Sequence, residues 1–259
     1  MSSSKIPVGL QIYSIRQDAE KDLPRVLKEI ASWGIDGVEF AGFYNHSASD
    51  IRKMLDDNNL KVFSSHTPIH LLEADLFEQA DFHAEIGCDS LIVNWIPLNK
   101  RDSEEATKQT AEQFTQLLNQ LKTYNQHFGF HCHAEDVIPL STGKSPWQIL
   151  GENTPDAFIM QYDTANGMHG GADPVLPIKQ MPGRSKILHL KEFKGTPGTE
   201  SGQGKAVLGE GDVPWQDVFE AAETVGGTEV YIIEQEGHPT LSPMDAARKC
   251  VENLKAMGK

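Results

Sequence analysis

Lys186-Ile187-Leu188-His189-Leu190-Lys191-Glu192-Phe193 is the stretch from which the fold is read. As a strand, its period of two sets Ile187, His189 and Lys191 on one face and Leu188 and Leu190 on the other. The leucines suit a covering layer of helices, so an imidazole and an ammonium point together into the interior. Such a pair is costly to bury unless a metal, a carboxylate or a ligand compensates. An exposed edge strand with His189 and Lys191 in water is the plain alternative. An edge has no need of leucines on its far side, however, and the same pattern recurs along the chain.

Working outward, strands are expected at residues 8–13, 37–40, 62–66, 90–95, 129–133, 158–163, 186–193 and 230–235. Helices are expected at 18–33, 49–59, 75–86, 103–128, 145–150, 173–180, 214–225 and 242–257. Pro24 belongs in the first turn of its helix, Gly34 and Gly87 end theirs, and Ser145-Pro146 and Ser242-Pro243 open theirs. Strict strand–helix alternation calls for parallel strands with helical crossovers. Eight units in 259 residues favour an α/β fold with a single (β/α)8 TIM barrel domain over residues 1–259. No G-x-G-x-x-G follows the first strand, so an open dinucleotide-binding sheet lacks its phosphate loop.

A net charge of −14 and a pI near 5.1 disfavour a nucleic-acid surface or an anionic membrane, both of which are held by excess Lys and Arg. Three cysteines, Cys88, Cys132 and Cys250, form no even framework and suit reduced thiols. Residues 1–7 carry no apolar leader, and no stretch approaches a membrane span, so a cytoplasmic location is expected.

In barrels of this kind the chemistry gathers at the carboxyl ends of the strands. The polar residues there are Glu39, His66, Asn94, His131, His133, Asp163, His189, Lys191, Glu234 and Glu236. Taken singly, a carboxylate or amide at a strand end is commonly just solvated. Asp163, His189 and Glu234 on three successive strands are harder to explain that way. They offer one nitrogen and two oxygen ligands, suited to one divalent ion: Mn²⁺, Co²⁺, Zn²⁺ or Mg²⁺.

Residues 34–44 (GIDGVEFAGFY), 130–134 (FHCHA), 187–192 (ILHLKE) and 209–215 (GEGDVPW) together resemble the sugar phosphate isomerase/epimerase group of xylose isomerase-like barrels. The resemblance runs from the first strand to the closing helix. It implies a (β/α)8 fold and one metal held by Asp163, His189, Glu234 and a fifth-strand ligand. Relatives carry a Glu there; here the inward position is His131, with Glu135 and Asp136 just beyond. The superfamily also includes a three-metal endonuclease acting at abasic sites. Asn166 stands where that enzyme has a histidine ligand, which together with the acidic surface disfavours the nuclease.

The expected activity is that of a sugar isomerase or epimerase, abstracting a proton next to a metal-polarised carbonyl of a ketose or keto-sugar. Glu234 and either His133 or Glu135 are the candidate acid–base pair. Lys191 and His66 are candidates to hold hydroxyls or the developing oxyanion, and Glu39, Asn94 and Glu236 to bind substrate. His133 and Lys191 are expected to matter to turnover more than to folding. With a general acid aimed at a β-hydroxyl the same apparatus is a dehydratase, acting on an inosose or a 3-keto-glycoside. A non-catalytic sugar-binding barrel is the alternative from another class. No basic phosphate cradle is evident, and the Gly-rich connection over 194–212 is long enough to form a lid. The resemblance also implies a possible homodimer, for which Phe43, Tyr44, Trp95 and Ile96 are the candidate exposed apolar residues.

Overall fold

The computed structural model describes residues 5–199, 202 and 205–259. Its strands are β1 (Val8–Gln11), β2 (Gly37–Phe40), β3 (Lys61–His66), β4 (Ser90–Val93), β5 (His127–His131), β6 (Ile159–Gln161), β7 (Ile187–Leu190) and β8 (Val230–Ile233). All are parallel, in the order β6-β5-β4-β3-β2-β1-β8-β7. Between β6 and β7 the ladder shrinks to one bridge, Asp163 with His189, supported by His189 N–H donating to Tyr162 O at 2.9 Å. The result is a single, nearly closed eight-stranded barrel with helices outside, as expected.

The interior is stratified by the strand period. The lower layer is apolar: Ile92, Ile159, Ile187 and Ile232 pack together with Phe63. Room for it comes from residues without side chains, since a Cβ on Gly9 would strike Ile232 and Phe63, and one on Gly129 would strike Ile159. Two residues further along β1, β2, β5, β6, β7 and β8 stand Gln11, Glu39, His131, Gln161, His189 and Glu234, all buried. Two more bring Tyr13, Ala41, His133, Asp163, Lys191 and Glu236 to the mouth. The polar site is thus the next turn of the pleat above an isoleucine floor.

Several boundaries differ from expectation for identifiable reasons. The helix expected over 103–128 ends at Leu121; a 3-10 turn over Lys122–Tyr124 follows, and Asn125 at φ 56° turns the chain so that β5 begins at His127. Asn is one of the few side chains that tolerates that left-handed conformation. In the first helix, Arg16–Ser32, the backbone leaves helical geometry at Asp22, whose side chain caps Arg25 N–H at 3.0 Å. Pro24 therefore opens a new helical segment, which reconciles it with a continuous apolar stripe. Three short helices in the strand–helix connections, Ile69–Ala74, Ala134–Val137 and Thr164–His169, were not expected, being too brief to show a period. Ile96 is fully buried, and Phe43 and Tyr44 pack half-buried on the core, which corrects their expected exposure; Trp95 is exposed.

The 194–212 connection, the expected lid, falls partly on residues 200, 201, 203 and 204, which lie outside the described residues. Its described end is packed down: Val207 and Leu208 are buried, and Asn253 Nδ2 donates to Leu208 O at 2.8 Å. Glu192 anchors the turn. Its carboxylate accepts from the backbone N–H groups of Phe193, Gly209 and Val213 and from Trp215 Nε1, at 2.7–3.2 Å. Among the described residues no helix is long and apolar enough to cross a membrane.

Candidate metal and substrate site

Glu39, fully buried on β2, is the hub of the polar layer. Gln11 Nε2 and His189 Nε2 each lie 2.6 Å from its Oε1, with His66 Nε2 at 3.0 Å. Ser64 Oγ and Gln161 Nε2 donate to its Oε2. Burial works against its ionisation, but His66 and His189 override that and hold its carboxyl well below the usual range. Ser64 reaches it because β2 and β3 slip register between Val38 and Glu39.

Gln161 converts this anchorage into a choice of tautomer. With its Nε2 donating to Glu39, its Oε1 must accept, and it lies 2.9 Å from both His131 Nδ1 and His66 Nε2. His131 therefore carries its proton on Nδ1 and turns the lone pair of Nε2 inward. Burial, together with His189 and His66, keeps that ring neutral by lowering its pKa well below the ordinary value.

His131, Asp163, His189 and Glu234 each supply one ligand atom to a group whose atoms all lie within 4.8 Å of one another. Asp163 Oδ1 accepts from Asn166 N–H at 2.7 Å, capping the short helix Thr164–His169, and this fixes the carboxylate. Its Oδ2 is buried and has no hydrogen-bond partner. That oxygen lies 3.9 Å from both His131 Nε2 and His189 Nδ1. A buried, unpartnered carboxylate oxygen facing two imidazoles and a second carboxylate is a donor set that could hold a divalent cation. Without a cation the burden falls on protons. Burial, reinforced by Glu234, raises Asp163 to about 6 despite Lys191 and His189. His189, held between Glu39 and Glu234 (Nδ1 to Oε2, 2.7 Å), rises to about 10 although burial opposes its charge.

Lys191 is 2% exposed and pairs with Glu234 Oε1 at 3.2 Å and with Glu236. Burial opposes its charge, but Glu234, Asp163 and Glu236 hold it firmly protonated. Lys191 therefore has a structural share beside the role in turnover expected of it. His133 lies half-buried at the mouth; its Nδ1 has no partner, and burial with Lys191 nearby lowers it to about 4, so the ring is neutral.

A polar pocket of about 200 Å³ is lined by Gln11, Tyr13, His66, Asn94, His131, His133, Glu234 and Glu236, together with Ala41. Glu135 is not part of it: its side chain is about half exposed and lies 3.8 Å from Arg101. Asp136, the other fifth-strand alternative, is buried but already committed, accepting from Arg101 at 2.7 Å and from His133 N–H at 2.7 Å. Gln11 and Gln161 went unremarked in the sequence because neutral amides do not stand out among ionisable residues. The signal was there, since both lie two residues before a mouth residue on the same strand face.

The family model described as xylose isomerase-like TIM barrel matches residues 27–257. A curated relative, the inosose dehydratase of Geobacillus kaustophilus (strain HTA426), is 20% identical over 192 residues, covering 66% of this chain and only 62% of that protein's length. A sugar phosphate isomerase/epimerase from Parabacteroides distasonis ATCC 8503 superposes with a TM-score of 0.83 at 23% identity, over 99% of this chain and 96% of that one. The IolI protein, solved with a bound zinc atom, superposes with a TM-score of 0.76 at 12% identity, over 96% and 97%. At such identities the structural likeness shows the fold alone.

Proposed function

The chain belongs to the xylose isomerase-like TIM barrel family, and from that premise we propose that it is a divalent-metal-dependent enzyme abstracting a proton beside the carbonyl of a ketose or keto-sugar. The observation that carries this reading is the buried Oδ2 of Asp163, unpartnered and facing His131 and His189. Asp163, His131 through Nε2, His189 through Nδ1 and Glu234 would hold the ion, with Nε2 of His189 remaining on Glu39. When bound, the ion supplies Lewis-acid polarisation of the carbonyl and of the oxyanion left by proton loss.

The chain's own groups supply the rest. His133, neutral and lining the pocket, accepts or returns the carbon-bound proton together with Glu234. Lys191, kept charged, stabilises the developing oxyanion. Asn94, His66 and Glu236 orient hydroxyls along the pocket wall. Outcome then depends on which group meets the intermediate: reprotonation gives an isomerase or epimerase, while protonation of a β-hydroxyl gives a dehydratase. The inosose dehydratase relative favours the second reading.

The test is solvent-deuterium incorporation into a panel of ketoses, keto-sugars and inososes with the metal-loaded protein, alongside metal content in wild type and Asp163→Asn. Carbon-bound deuterium in at least one substrate, and a metal lost in the variant, are expected. No exchange across the panel means a sugar-binding barrel, and equal metal content in both proteins removes the ligand set. An absorbing unsaturated product separates dehydration from epimerisation.

A further inference from the structure

Beside the polar pocket lies a second cavity of about 420 Å³ whose wall is mainly aromatic and aliphatic. Phe43, Pro68, Leu71 and Phe82 give it its apolar wall, and Tyr13, Ala41, His66 and Asn94 are shared with the polar pocket, so the two are continuous. We propose that this cavity is a subsite for an uncharged aryl group joined to the sugar, so that the substrate is an aryl keto-glycoside and not a bare monosaccharide. The proposal rests on the function given above and names its substrate class.

Hydroxyls gain nothing from an apolar wall, whereas an aromatic ring buried there gains roughly 25 cal/mol for each Å² removed from water. Engineered apolar cavities of about 150 Å³ already hold benzene, so the space exceeds one ring. The wall is preorganised: the rings of Phe43 and Phe82 lie 4.5 Å apart between centroids, and Phe43 packs on Phe40 at 5.3 Å. Tyr13, at the junction, is pinned by Arg16, whose guanidinium stacks 4.0 Å over its ring and donates to its carbonyl at 2.8 Å. Tyr13 and Leu71 still expose 40% and 38% of their surface, an apolar lip that a ligand would cover.

Charge decides the kind of substituent. Among the described residues no Lys or Arg lines the cavity, and Glu78 does, so an anionic group such as a phosphate is disfavoured. His83, at the back, gives no cation either: burial lowers it to about 4, and its Nδ1–H donates to Gln79 O at 2.6 Å. Asn94 and Gln79 at the edges leave polar positions for hydroxyls on the ring.

The experiment is calorimetric titration of the metal-loaded protein with 3-ketoglucose and with its 4-nitrophenyl β-glycoside, each followed by the deuterium-exchange assay. The glycoside should bind at least about tenfold more tightly, as burial of one ring predicts. Leu71→Asp, at a position exposed enough to leave folding intact, and Phe82→Ala should each remove most of that ratio. Equal affinities in wild type, or a ratio unchanged in both variants, overturn the subsite. Exchange on the bare sugar without aryl preference keeps the proposed reaction and overturns the subsite. Aryl preference abolished by the variants without exchange supports the subsite and overturns the reaction. Failure of both probes to bind overturns both.

Discussion

Nε2 of His189 lies 2.6 Å from Oε1 of Glu39, joining β7 to β2 across 150 residues of chain and between strands that are not neighbours in the sheet. The bond leaves Nδ1 of His189 as the nitrogen facing Asp163 and Glu234. Were His189 to hold a metal through Nδ1, the Glu39 carboxylate on its far side would fix the ring orientation and raise its basicity.

Glu39→Gln tests that relationship. The amide can still meet His189 but supplies no charge, so metal affinity should fall by about 10- to 100-fold. Chelator-competition titration reads it directly, and an unchanged dissociation constant would show that Glu39 serves only the barrel's packing.

Asp163→Asn separates binding from folding. The amide oxygen can keep the cap on Asn166 N–H while the buried charge is gone, so the metal-free protein should melt at the same temperature as wild type or higher. Wild type should gain about 2.7 kcal/mol from metal at one hundred times its dissociation constant, and the variant almost nothing. Thermal melts with and without added Mn²⁺ or Zn²⁺ check this; an equal metal-induced shift in both proteins contradicts the ligand set.

Lys191→Met should harm both folding and turnover. It strips the cation from between Glu234, Glu236 and Asp163, which destabilises the metal-free protein by about 3–5 kcal/mol. Loss of one oxyanion donor lowers kcat by about 10²-fold or more. Denaturant titration and single-turnover rates on the substrate found by exchange measure the two separately. A full-rate variant removes Lys191 from the chemistry.

Glu192→Gln should loosen the connection after β7. Four N–H donors converge on that carboxylate, and the amide turns a donor of its own toward them. A loss of about 2–4 kcal/mol is expected in urea unfolding, with faster amide exchange at Gly209 and Val213. A Cβ at Gly211 would strike the same carboxylate, so Gly211→Ala should act in the same direction.

The acid limb of stability should carry the signature of His83. Its ordinary pKa of 6.5 is lowered to about 4 by burial, and the Gln79 carbonyl and Thr67 hydroxyl beside it are neutral. A folded-state pKa below the unfolded one means that its contribution is complete above about pH 6.5 and is lost as the pH falls toward 4. The loss is on the order of 3 kcal/mol. His83→Asn should therefore flatten the fall in unfolding free energy between pH 6.5 and 4 relative to wild type; an identical slope in both proteins places the acid sensitivity elsewhere.

The sequence by itself determined the barrel and the inward face of β7. Alternation is a local property, so Ile187, His189 and Lys191 could be set on one side of β7, and Asp163 and Glu234 at neighbouring strand ends, from a few residues each. Helix ends were legible where caps are chemical, as at Ser145 and Ser242, and failed at Asn125, where one left-handed residue ends a pattern that periodicity alone would continue. What only the tertiary structure decided are relations between strands. Neutral Gln161 fixes the tautomer of His131 because it also meets Glu39, 122 residues away. Glu135 and Asp136, adjacent in sequence to the site, are drawn off by Arg101, which is separated from Asp136 by 35 residues. The apolar cavity beside the mouth is built by Phe43 from the connection after β2 and by Leu71 and Phe82 from the two helices of the connection after β3. Strand period fixes direction, but which side chains meet depends on register and closure, and those are set by the packing of the whole barrel.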